Sequence, residues 1–137
     1  MGQSIRNTTE KGLGAVAAGH PDTAQAAVEI LHAGGNAMDA AIAAIWASTI
    51  AEAPLTGIGA GGFATVRTAE GDFHTVDFFV DMPGKGVDLT MDIRTRGFHP
   101  VDIDFGSKVQ RFYTGGGAVG VPGLPAGVEH MHRRFGS

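Results

Sequence analysis

The sequence contains no cysteine. No disulfide, no thiolate metal site and no cysteine nucleophile can be built from it. Basic residues are scarce: 10 Lys and Arg stand against 14 Asp and Glu, a net charge of −4. That balance argues against nucleic acid as the main partner, which usually demands a basic patch. Charged residues make up only 18% of the chain, below the ~25% of an average domain. Long hydrophobic runs are also missing. The longest apolar stretch, Ala40 to Ala51, is bracketed by Asp39 and Glu52 and falls short of the ~20 residues a membrane span needs. The opening residues Met1 to Asn7 carry one Arg with no apolar stretch behind it, unlike a secretory signal. These absences predict a soluble, cytoplasmic protein with no nucleic-acid or membrane partner.

What the chain has in excess is glycine. There are 22 in 137 residues, roughly twice the ~7% typical of soluble proteins. With 43% apolar residues, a packed core is expected, and the length suits one domain. Residues 1–12 read as an irregular N-terminus. The apolar run Gly14 to Gly19 reads as a short buried strand. His20-Pro21-Asp22 opens a helix, because Pro is tolerated in the first turn and Asp suits its positive end. Ala24, Ala27, Val28 and Leu31 form its apolar stripe, and Gly34-Gly35 ends it. Asn36 caps a second helix, answered by Asp39 in a capping box. That helix is apolar all round, which predicts burial on every side, and Pro54 marks its end.

Two strands, Phe63 to Thr68 and Phe73 to Phe78, flank the turn residues Ala69-Glu70-Gly71-Asp72 and predict a hairpin. Residues 81–114 show no clear period and read mostly as loop. Ala118 to Val121 reads as a short strand. A last helix carries Leu124, Val128, Met131 and Phe135 on one stripe, Arg133 and Arg134 near its negative end, and Gly136 as its cap.

Few of these residues announce a reaction. Gly57-Ile58-Gly59-Ala60-Gly61-Gly62 matches the letters of a dinucleotide loop. Such a loop follows a strand and opens a helix, whereas here a helix precedes and a strand follows. A turn that brings backbone close to another strand or to a substrate fits better. The six histidines (His20, His32, His74, His99, His130, His132) form no metal-ligand pattern, and His20 reads as a helix-start residue. Asp77 and Asp81 could pair as carboxylates, but solvated or capping roles are the expectation. No serine sits in a nucleophile elbow.

Three stretches resemble the γ-glutamyltranspeptidase family. The first runs from Gly19-His20-Pro21 through Leu31-His32-Ala33-Gly34-Gly35-Asn36-Ala37-Met38-Asp39-Ala40-Ala41. The second is Thr56-Gly57-Ile58-Gly59-Ala60-Gly61-Gly62-Phe63. The third is Ala118-Val119-Gly120-Val121-Pro122-Gly123, followed by Gly127 and Arg133-Arg134-Phe135-Gly136. They occur in family order. The resemblance implies an α+β fold, part of the four-layer αββα sandwich of the N-terminal-nucleophile hydrolases. Residues 1–137 would be the N-terminal portion of the large subunit, an incomplete domain. The implied partners are the remainder of that subunit, the small subunit and a small-molecule amide substrate such as glutathione. A γ-glutamyl or related acyl group would pass to water or an amine, without metal or organic cofactor. The implied nucleophile is an N-terminal Thr of the small subunit, outside this chain, so no catalytic residue is expected here and the chain alone should be inactive.

One position departs from the family pattern. Where the family strand reads D-F-R-E and its Arg holds the substrate carboxylate, this chain reads Asp77-Phe78-Phe79-Val80. Phe79 therefore stands at the substrate-binding position and cannot make a bidentate carboxylate pair. Arg67 or Arg94 would have to reach in from elsewhere. An acylase of the same fold acting on another amide, a non-catalytic binding homologue and a nucleotide-binding protein are the alternatives.

Overall fold

The computed structural model describes residues 14–86 and 97–137. The first helix, α1 (Pro21–His32), begins as expected: the His20 ring nitrogen Nδ1 accepts the Asp22 N–H at 3.2 Å. Gly34, at φ +92°, turns the chain out of α1 in a backbone region that a side chain resists. The second helix, α2 (Ala37–Ala51), opens on the predicted capping box. The Asn36 side chain accepts from Met38 and Asp39 N–H groups at 2.8 and 3.0 Å, and Asp39 Oδ2 accepts the Asn36 N–H at 2.9 Å. The two helices pack on each other as the largest contact in the fold. A partly buried tie joins α1 to the C-cap of α2, in which the Thr23 hydroxyl donates to Glu52 Oε1 at 2.8 Å.

Strands β1 (Phe63–Arg67) and β2 (Phe73–Asp77) form the predicted antiparallel hairpin, with Phe63 opposite Asp77 and Arg67 opposite Phe73. A second antiparallel hairpin, β3 (His99–Asp104) and β4 (Val109–Thr114), stands apart from it. The final helix, α3 (Leu124–Phe135), carries the expected basic last turn. Met38 of α2, Phe78, and Leu124, Val128 and Met131 of α3 form the core. Ile42, Ile45, Ala64, Val66, Val76 and Phe135 close around it. No helix among the described residues is long and apolar enough to cross a membrane.

Four expectations are corrected. Residues 14–18 are extended without a ladder, and all but Val16 are exposed; an apolar run becomes a strand only where a neighbour pairs with it. Residues 99–114 are a hairpin, not a loop. Ala118 to Val121 is not a strand: Gly116–Ala118 is a turn of 3-10 helix and Val121 makes a single bridge to Asp81. Helix α2 is apolar all round, yet Ala41, Trp46 and Ile50 are open, with Ile50 81% exposed. The irregular N-terminus over 1–12 and Arg94 lie outside the described residues.

Candidate functional site

Two glycine-rich stretches of this chain, 57–62 and 120–127, meet on one short segment, Phe78-Phe79-Val80. From one side comes the loop 57–62. Gly62 and Phe78 exchange both backbone hydrogen bonds, at 3.0 and 3.2 Å. A Cβ on Gly61 would lie 2.5 Å from the Val80 nitrogen and 2.6 Å from the Phe78 oxygen, so only glycine allows this approach. From the other side comes the segment leading into α3. Asp81 and Val121 exchange backbone bonds of 2.8 and 3.1 Å, and the Leu124 N–H donates to Ala60 O at 3.0 Å. A Cβ on Gly123 would sit 2.7 Å from the Phe78 carbonyl carbon and 2.8 Å from the Phe79 oxygen. Gly127, one turn on, leaves room for the Phe78 ring. The loop thus presses on a strand and offers no helix N-terminus to a phosphate, which removes the physical basis of the nucleotide reading.

With its backbone held between these glycines, the extended segment that continues β2 turns successive side chains to opposite faces. Phe78 points into the core and is 9% exposed, whereas Phe79 points away and is 58% exposed. On that outer face Phe79 stacks on Phe63, ring centroids 5.4 Å apart and planes 14° apart. Beside them is Asp77, whose Oδ1 accepts the Phe79 N–H at 3.0 Å. Further along the same face come Thr65 opposite Thr75, then Arg67 opposite Phe73. The Arg67 guanidinium lies 6.0 Å over the Phe73 ring. Four residues of strand, on the order of 13 Å, separate its position from the level of Phe63. Arg67 therefore does not supply the cation missing at position 79.

Where the sequence allowed a carboxylate pair, Asp77 and Asp81 serve the backbone instead. Asp81 Oδ1 accepts the Met82 N–H at 2.8 Å and the carboxylate pairs with Lys85. The hydrogen bond and charge of Lys85 hold its carboxyl below the ordinary carboxylate range. The histidines are dispersed, and no group of three or more metal-ligating side chains occurs among the described residues. His130 and His74 share a groove of about 680 Å³ between β2 and α3, where Arg134 comes within 3.4 Å of His74 Nδ1. Phe63 is the residue that sequence reasoning missed. The observed hairpin register sets residue 63 diagonally across from residue 79, one residue away from the pairing that a turn over 69–72 implies.

An α+β chain whose glycines clamp one strand segment, with an exposed side chain carried on it, has close relatives of known architecture. The chain belongs to the gamma-glutamyltranspeptidase family, whose model matches residues 23–137. It is 35% identical over 124 residues to the Acylase ACY 1 proenzyme of Pseudomonas sp. (strain V22), covering 90% of this chain and 22% of that protein. It is 34% identical over 126 residues to the glutathione hydrolase proenzyme of Bacillus subtilis (strain 168), covering 90% of this chain and 20% of that protein. The chain therefore spans about a fifth of the length of these relatives. Among solved structures, gamma-glutamyltranspeptidase from Helicobacter pylori matches with a TM-score of 0.67 at 26% identity, over 94% of this chain and 34% of the other. The enzyme from Pseudomonas nitroreducens, complexed with L-DON, matches with a TM-score of 0.65 at 32% identity, over 94% and 35%. The architecture is the α+β, N-terminal-nucleophile hydrolase fold of that family.

Proposed function

We propose that the protein carrying this chain is an N-terminal-nucleophile amidohydrolase. It transfers a γ-glutamyl or related acyl group from a small-molecule amide to water or an amine. Residues 1–137 correspond to the N-terminal portion of its large subunit, completed by the rest of that subunit and by the small subunit. The nucleophile is the N-terminal Thr of the small subunit, activated by its own α-amino group. Its hydroxyl oxygen attacks the amide carbonyl, the C–N bond breaks, and the amine leaves with a proton. Water or a second amine then takes the acyl group from the resulting ester. The chain itself contributes no catalytic residue. Its part is to line the acyl site with Phe79.

The observation that carries this reading is the glycine clamp on residues 78–80. Two stretches of family-like sequence, 56–63 and 118–127, distant along the chain, converge on the backbone of one outward side chain. The relatives support the reaction class: the glutathione hydrolase and the acylase are both amide-cleaving, and both are proenzymes. Phe79 favours the acylase side of that pair, because an aromatic ring cannot hold a carboxylate as a guanidinium does.

The test is turnover of γ-glutamyl-4-nitroanilide by the full-length protein and by its Phe79→Arg variant. Weak turnover that rises with arginine supports the reading. Strong turnover by the unaltered protein overturns the role of Phe79. Absence of a processing site with a new N-terminal Thr overturns the enzyme reading in favour of a non-catalytic homologue.

A further inference from the structure

The outer face of the β1–β2 hairpin carries an aromatic pair that sets the chemistry of whatever is bound there. Phe63 and Phe79 are both mostly exposed, at 65% and 58%, and stack nearly parallel. That geometry is within the offset-stacked range preferred by aromatic rings. Both rings rise from backbone that cannot drift. Phe63 directly follows Gly62, which exchanges hydrogen bonds with Phe78, and Phe79 lies in the segment held by Gly61 and Gly123. The nearest charge on this face is the Asp77 carboxylate, cross-strand partner of Phe63. The cation on the face, Arg67, is taken up by the Phe73 ring at the far end.

We propose that Phe63 and Phe79 together form an aromatic platform that selects amide substrates with a flat, uncharged acyl group, and that Phe63 is a specificity-determining residue. The inference rests on the amidohydrolase reading above and narrows its substrate class. An acyl carboxylate set on this platform would meet the Asp77 carboxylate without a neutralising guanidinium, a like-charge contact. A neutral ring instead extends the existing stack and covers apolar surface on both phenylalanines.

The experiment uses the full-length protein with two anilides, phenylacetyl-4-nitroanilide and γ-glutamyl-4-nitroanilide, and measures phenylacetate binding separately by calorimetry. The expected preference in kcat/KM is about tenfold or more for the phenylacetyl substrate. Phe63→Leu should lower kcat/KM for the phenylacetyl anilide by about tenfold, through KM, and that for the γ-glutamyl anilide by a much smaller factor. Phe63→Tyr, which keeps the ring, should retain the preference and controls for folding. If γ-glutamyl is the preferred acyl group, or if Phe63→Leu lowers both rates equally while Phe63→Tyr restores both, the platform is overturned and the amidohydrolase reading stands. If neither anilide is cleaved but phenylacetate binds and Phe63→Leu abolishes binding, the amidohydrolase reading falls and the platform stands. Failure of both cleavage and binding overturns the platform.

Discussion

Phe78 and Phe79 are neighbours in sequence and face opposite sides of the extended segment that follows β2, the first packed under α3 and the second stacked on Phe63 in the open. The same glycines hold the backbone of both. Their side chains have separate surroundings: one anchors the core and the other stands exposed on the outer face. Substitutions at the two positions should consequently separate stability from specificity.

Phe78→Ala removes the ring that joins the sheet to α3, and the neighbouring glycines, Gly62 and Gly127, have no side chains to refill the space. A loss of about 3–5 kcal/mol is expected, as for other buried phenylalanines. Chemical denaturation of the full-length protein measures it. Phe79→Ala, by contrast, should move the midpoint little.

Gly123→Ala forces a methyl group against the Phe78 and Phe79 carbonyls. Backbone cannot yield as a flexible side chain does, so a cost of about 1–3 kcal/mol is expected. Because the clamp would open, amide turnover should fall as well. A Gly123→Ala protein with unchanged Tm and unchanged KM would show that the close approach is not required.

Asn36→Ala removes the cap that holds the first turn of α2 and should cost about 1 kcal/mol. Its partner Asp39 adds a pH dependence. The Ser137 hydroxyl, the Asn36 N–H and the nearby His132 hold the Asp39 carboxyl below its ordinary range, the Ser137 bond at 2.5 Å contributing most. A depressed carboxylate stabilises the fold fully above its unfolded value, and the contribution is lost as pH falls through the folded one. The Tm difference between the unaltered protein and Asp39→Asn should therefore be largest near neutrality and shrink below about pH 4.

The Asp102–Arg111 pair on the β3–β4 hairpin is bidentate, with bonds of 2.7 and 2.9 Å, yet both side chains are open to water. Solvent and salt screen such pairs. Asp102→Asn should leave Tm unchanged within error at physiological ionic strength. A clear drop would mean that the hairpin is covered in the assembled protein.

Local chemistry made much of this fold legible. His20-Pro21, the Asn36–Asp39 box and the Glu70-Gly71 turn act within a few residues of themselves, and each element they mark is present. Strand identity was less legible because a strand is defined by its partner. Gly14 to Ala18 and Ala118 to Val121 are apolar enough for strands but lack a ladder, whereas β3 and β4 find each other across the turn Phe105-Gly106-Ser107-Lys108. Pro100 and the acidic Asp102 and Asp104 hid the alternation of Val101, Ile103 and Phe105. At the candidate site, family-like spacing marked position 79, but stacking on Phe63 depends on hairpin register and emerged only with the three-dimensional arrangement.

The clamp around residues 78–80 separates inheritance from innovation. Its main-chain bonds are indifferent to what Cα of residue 79 carries, so that side chain can be exchanged without rebuilding the scaffold beneath it. A single codon thereby becomes a socket, and the same frame accepts a different plug without being rebuilt.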